Sequence, residues 1–141
     1  MATFQLDIIT PERTVFSDHV ELVSAPSSTG TIAILPHHVP LFTRLIEGEI
    51  KVIKPGEEYY LAIGSGFLEI TPSKVTVLVT SAFRAEELNE QEILSAKKRA
   101  EEALLTRPKG DALREAQQLF MRSTIALKVL RRRRKSTLPS N

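Results

Sequence analysis

The chain contains no cysteine among its 141 residues. That absence excludes a disulfide framework, a thiolate metal site and a thiol nucleophile. No apolar run approaches the roughly 18 residues that a membrane-spanning helix needs. The opening Met1-Ala2-Thr3-Phe4-Gln5-Leu6-Asp7 lacks a basic region followed by an apolar stretch, so no secretory signal is expected. Glycine and proline nearly vanish after residue 73, since five of the six glycines and six of the eight prolines precede it. Hydrophobic residues make up 42% and charged residues 26%, the balance of a chain that buries a core and not of a disordered tail.

The net charge is only +2, but it is unevenly spread. Residues 1–87 carry a net of −5, residues 88–130 a net of +2, and Arg131-Arg132-Arg133-Arg134-Lys135 adds +5. An acidic front and a strongly basic end place the expected charged interaction surface at the basic end.

Two patterns divide the chain near Arg84. Before it, short segments alternate with the period of two that marks half-buried strands. Phe4, Leu6 and Ile8 alternate with Gln5 and Asp7. A turn at Ser17-Asp18 is expected, with Val20 and Leu22 resuming the pattern beyond it. Ser27-Ser28-Thr29-Gly30 is a turn cluster, Ile32 and Ile34 alternate, and Pro36 ends that strand. Ile50 and Val52 lead to the reverse turn Pro55-Gly56, and Tyr59 to Ile63 returns. Gly64-Ser65-Gly66 precedes Phe67-Leu68-Glu69-Ile70; after the turn Thr71-Pro72-Ser73-Lys74 come Val75, Val77 and Val79. Short strands at regular spacing predict an N-terminal all-β sandwich over residues 1–84.

After Arg84 the period lengthens. Ile93, Ala96, Ala100 and Ala103 or Leu104 recur at helical spacing. Asn89 is placed to cap this helix with Glu92 reaching back, and Leu88 and Ile93 occupy the positions of a hydrophobic staple. Residues Thr106 to Gly110, containing Pro108, break the helix. Asp111 is placed to cap a second helix, whose stripe is Leu113, Ala116, Phe120, Ser123, Leu127 and Leu130. The short connection predicts an antiparallel α-helical hairpin over residues 85–141, ending in a basic tail.

Few motifs carry chemistry. His37 and His38 are adjacent on an extended segment, so their side chains diverge, and His19 has no evident partner. They read as surface or contact residues, and no metal site is expected. Gly64-Ser65-Gly66 lacks the Gly-Lys-Ser/Thr ending and the following helix of a phosphate loop, and reads as a bend at a sandwich corner. No catalytic constellation is defensible. The run Arg131–Lys135 exceeds what a helix dipole needs. An acidic protein, an anionic membrane or nucleic acid could each answer it. Nucleic acid is disfavoured, because no aromatic residue interleaves with the run and the front half is acidic.

The segment Gly30-Thr-Ile-Ala-Ile-Leu-Pro-His-His-Val-Pro-Leu-Phe-Thr43 resembles one in the epsilon subunits of bacterial and chloroplast rotary ATP synthases. There the usual run is Gly-Glu-Leu-Gly-Ile-Leu-Pro-Gly-His-Ala-Pro-Leu-Leu-Thr. Gly30, Ile34, Pro36, His38, Pro40 and Leu41 align without a gap. Gly48 to Val52, Gly64 to Glu69, Val75 to Val79 and the opening Phe4 to Glu12 resemble further parts of the pattern, over residues 3–130.

The resemblance implies a non-catalytic stalk protein with no cofactor. In that family the sandwich grips the rotating gamma subunit and the ring of c subunits. The helical arm folds down or extends toward the catalytic alpha/beta hexamer, and when extended it suppresses ATP hydrolysis. The protein then lies peripheral to the membrane, on the cytoplasmic face in bacteria or the stromal side in chloroplasts. Ile34, Pro36, His38, Pro40 and Leu41 become the candidates for contact with gamma and the c ring. Arg122, Lys128, Arg131, Arg132, Arg133 and Arg134 become the candidates for an acidic segment of beta. Two departures stand out. His37 replaces the usual glycine, and Thr31 the usual glutamate. Some members bind ATP through Leu/Ile-Asp-x-x-Arg-Ala at the start of the first helix. This chain has Leu88-Asn89-Glu90-Gln91-Glu92-Ile93 there, so that ATP site is not expected. The alternative reading is a free-standing adaptor whose basic helix docks on anionic membrane or nucleic acid.

Overall fold

The computed structural model describes residues 2–136, with side chains through Arg132. Two compact units divide between Arg84 and Ala85. The first is built of ten strands: β1 (Phe4–Ile9), β2 (Thr14–Val20), β3 (Leu22–Ser27), β4 (Gly30–Ile34), β5 (Leu41–Leu45), β6 (Gly48–Lys54), β7 (Glu57–Ile63), β8 (Gly66–Ile70), β9 (Lys74–Val79) and β10 (Ala82–Arg84). They pair in the order β10, β7, β6, β3, β5, β8, β9, β1, β2, with β4 against β3. Every pairing is antiparallel except β1 with β9. The sheet folds over a single core that includes Leu6, Ile8, Val23, Ile50, Leu61 and Leu68, each fully buried. This is the predicted β sandwich, closed nearly into a barrel.

The alternation in the sequence maps directly onto this core. Leu6 and Ile8 point inward from β1, Ile50 and Val52 from β6, Leu68 and Ile70 from β8, and Val75, Val77 and Val79 from β9. The expected turn at Ser17-Asp18 is a correction. Both residues lie inside β2, and the reversal is at Thr10–Arg13, where Thr10 N donates to Arg13 O at 2.9 Å. Ser17 and Asp18 tolerate the strand because they have partners across it. Ser17 Oγ donates to Asp7 Oδ1 at 2.7 Å, and Asp18 pairs with Lys54. A bulge also lies in this ladder: Ile8 faces Phe16 but Ile9 faces Thr14. It leaves Val15 unpaired, which lets the consecutive Val15 and Phe16 both be buried.

The two ends of the strand order meet at Arg84. Its Nη2 donates to the Val15 carbonyl of β2 at 2.8 Å, and the guanidinium lies over the Phe16 ring at 5.5 Å. Phe16 in turn meets Tyr59 edge-on at 5.9 Å. Arg84→Ala removes a charge-assisted bond and a cation–π contact from a sheet edge. It is expected to cost about 1–3 kcal/mol, read as an earlier urea midpoint. Arg84→Lys should recover little, lacking the planar fork. A wild-type midpoint for the alanine variant would refute this closure.

The second unit holds a short 3-10 turn (Ala85–Glu87), α1 (Glu90–Leu105) and α2 (Asp111–Ser136). Asn89 caps α1 as expected, its Oδ1 accepting from Glu92 N at 3.2 Å. Asp111 does not cap α2. It is the first helical residue, and the Gly110 carbonyl accepts from Arg114 N at 3.1 Å. Gly110 can take this place because its φ of 63° costs glycine nothing. The helices form the expected antiparallel hairpin. Ile93, early in α1, packs with Leu127 and Leu130 late in α2, while Lys97 lies 5.7 Å over the Phe120 ring. Ser123, buried on the stripe, satisfies its hydroxyl by donating to Leu119 O at 2.7 Å.

Candidate functional site

The candidate contact segment is the β4–β5 connection. Ile34 is a correction: at 1% exposed it belongs to the core and offers a partner almost no surface. Its role is to anchor the loop. Pro36 is half-buried, whereas His38 and Pro40 are exposed. His38 Nδ1 donates to the Val39 carbonyl at 2.8 Å. His37, where the family pattern has glycine, takes φ 67°, the left-handed conformation glycine favours. Leu41 shares the inward register of Thr43 and Leu45 and is 39% exposed at its strand's end. Between this loop and the β8–β9 turn lies a groove of about 460 Å³ whose lining includes Thr3, His37, His38, Ser73 and Lys74.

The sequence reading missed the surface that continues from this loop. On β5, β8 and β9 the outward register carries apolar residues: Phe42 is 62% exposed, Phe67 47% and Leu78 48%. Arg44 faces Phe67, and Phe67 faces Leu78, across three adjacent strands. The Phe42 and Phe67 rings stack at 5.4 Å with an interplanar angle of 20°. A contiguous exposed apolar stripe on a folded surface marks an interaction site. The signal was available: Leu68 and Ile70 point inward, so Phe67 stands on a face that alternation reserves for polar residues.

Charges near the groove are ordered. Ser17 and Gln5 donate to Asp7, and these bonds, with the nearby Lys74, hold its carboxyl below the ordinary value. Lys74 Nζ lies 3.6 Å from Asp7 Oδ2. Among the described residues no three His, Asp or Glu side chains converge as a metal site would require. No described helix is long and apolar enough to cross a membrane.

On the arm, Lys128, Arg131 and Arg132 are exposed and line a cleft of about 550 Å³ with Thr124 and Leu127. Lys97 of α1, absent from the sequence-based set, joins them there. Arg122 is exposed but does not line the cleft. The side chains of Arg133 and Arg134, also candidates, lie outside the described residues.

Comparison with known proteins identifies the family. Residues 3–85 match the family described as ATP synthase, Delta/Epsilon chain, beta-sandwich domain. An ATP synthase epsilon chain of Dehalococcoides mccartyi is 46% identical over 136 residues, covering 96% of this chain and 97% of that one. That of Herpetosiphon aurantiacus is 42% identical over 130 residues, covering 92% and 96%. A chain in the mitochondrial ATP synthase of Euglena gracilis has the same fold at 16% identity, with a TM-score of 0.67 over 98% of this chain and 83% of that one. A chain in the central stalk and c-ring of the Tetrahymena thermophila enzyme gives 0.58 at 12% identity, over 92% and 97%. Sandwich, hairpin and near full-length identity agree: the chain belongs to the epsilon-chain family of ATP synthases.

Proposed function

We propose that this chain is a non-catalytic central-stalk subunit of a proton-translocating ATP synthase. Its sandwich attaches to the rotor, meaning the gamma subunit and the c-subunit ring, and so takes part in coupling proton flow to ATP synthesis. Its arm restrains ATP hydrolysis by reaching the alpha/beta hexamer, where Lys128 and Arg131–Arg134 pair with an acidic segment of beta. The assembly holds it peripheral to the membrane, on the cytoplasmic or stromal side. The observation that carries the attachment is the exposed stripe of Phe42, Phe67 and Leu78 beside the His38–Pro40 loop. An apolar surface this open in an epsilon-family chain calls for a protein partner.

The test of the inhibitory half replaces Arg131–Arg134 with glutamine in the reconstituted complex. Exposed ion pairs contribute only about 0–1 kcal/mol each, so no single substitution should matter much. Four together should raise ATP hydrolysis about two- to fivefold at low salt. The difference should vanish at high salt, where screening acts over a few ångströms. Unchanged hydrolysis at low salt would reduce the run to a solvated helix end. A matching fall in rotor binding would assign it to assembly, and failure of the full chain to bind gamma would favour the free-standing adaptor.

A further inference from the structure

His37 holds a backbone conformation that a side chain resists. At φ 67° its Cβ crowds the following carbonyl oxygen, a contact glycine does not make. Among the described residues no hydrogen bond or ion pair ties down the exposed imidazole. Histidine takes this conformation more readily than most residues that carry a side chain, so the φ marks the position and not a function. Arg107 shares the conformation at φ 53°, so the backbone alone decides nothing. His37 differs in standing at the rim of the groove between its loop and the β8–β9 turn.

The chemistry of that groove is one-sided. Its ionisable lining residues are His37, His38 and Lys74, and no carboxylate lines it. Thr3 and Ser73 add hydroxyls, and Leu35, Val39 and Pro72 supply apolar walls. Lys74 is held only loosely by Asp7, at 3.6 Å, and its side chain is 48% exposed, so the ammonium remains open to a second anion. We infer that the groove seats an acidic side chain of the rotor partner, held by Lys74 and His37. The inference rests on the reading that the sandwich is the rotor-binding unit.

The experiment compares full-length variants on the immobilised gamma–c-ring subcomplex from the same source, alongside thermal unfolding. His37→Gly relieves the strained backbone, so its melting temperature should stay level or rise by about 2–4 °C. Its dissociation constant should rise about tenfold, as for loss of a charge-assisted hydrogen bond. Opposite movement of the two readouts separates a contact residue from a structural one. His37→Asn, which tolerates the left-handed conformation and keeps a donor, should lie between. Lys74→Gln should weaken binding about tenfold and flatten its salt dependence. Asp7→Asn, which frees Lys74 without removing it, should bind at least as tightly as wild type. Glycine at 37 with a raised melting temperature and wild-type affinity would overturn the inference, as would wild-type affinity for Lys74→Gln. Failure of the wild-type chain to bind the subcomplex would instead overturn the reading beneath it.

Discussion

Replacing Phe42 and Phe67 together with serine should weaken attachment to the gamma subunit about ten- to a hundredfold while leaving the fold intact. The two rings are 62% and 47% exposed, so most of their apolar surface is still in water in the isolated chain. Fully burying a phenylalanine is worth about 1.5–3 kcal/mol. About half of that remains available for each ring on binding. Their stacking is already made in the free chain and so adds nothing on binding. The total is about 1.5–3 kcal/mol, or about one to two orders of magnitude in the dissociation constant. Interfaces concentrate their energy in a few such aromatic anchors. The folding cost should be small, because neither ring belongs to the core; it is limited to strand preference, within about 1 kcal/mol. Surface-immobilised gamma gives the affinity and calorimetry the melting temperature. Retained affinity would dismiss the stripe as the attachment surface. A collapse of the melting temperature would show that the rings serve the fold.

The other large effect is on stability. Gly66→Ala should destabilise the sandwich by about 3 kcal/mol or more, a large share of the 5–15 kcal/mol typical of such domains. A Cβ placed at Gly66 would lie 1.9 Å from the Leu78 carbonyl oxygen and 2.7 Å from the Val79 Cα. Both are backbone atoms of the neighbouring β9, so the β8–β9 ladder must open. Gly64, two residues earlier, is an internal control. A Cβ there meets Thr80 Oγ1 at 2.2 Å and Ser81 Oγ at 2.9 Å, side-chain atoms that can rotate away. Gly64→Ala should therefore cost less than half as much, in the range of a tolerable overpacking. Urea unfolding of the two variants side by side measures the difference. Equal midpoints would show that the sheet yields at Gly66 without breaking. The cause of the requirement is topological. The Gly64–Gly66 corner carries the chain from β7, second in the strand order, to β8 beside β9, and backbone bonds from Gly64 N to Ser81 O and Thr80 N to Ser65 O draw the two corners together.

Much of this architecture is local in origin and was legible in the residues. Alternation placed Leu6, Ile8, Ile50, Val52 and Val77 in the core, because a strand has two faces and only one meets water. Pro55-Gly56 turns the chain because proline presets one dihedral and Gly56 accepts φ 76°. Asn89 caps α1 because its side chain reaches its own helix's free amides. The corner at Gly64–Gly66 and the change of period near Arg84 were equally readable. What escaped depended on residues distant in sequence. Ser17 and Asp18 look like a turn until Asp7 and Lys54 are set beside them, because a polar pair suits a strand only when the opposite strand answers it. β5 and β10 carry too little alternation to announce themselves and exist because β8 and β7 pair with them. Ile34 lies in the best-matched motif, yet the fold turns it inward. Phe42, Phe67 and Leu78 become one surface, and Lys97 joins Lys128, Arg131 and Arg132, only through strand register and helix pairing. Local periodicity determines which residues are buried; register and packing alone decide which of the exposed ones stand together.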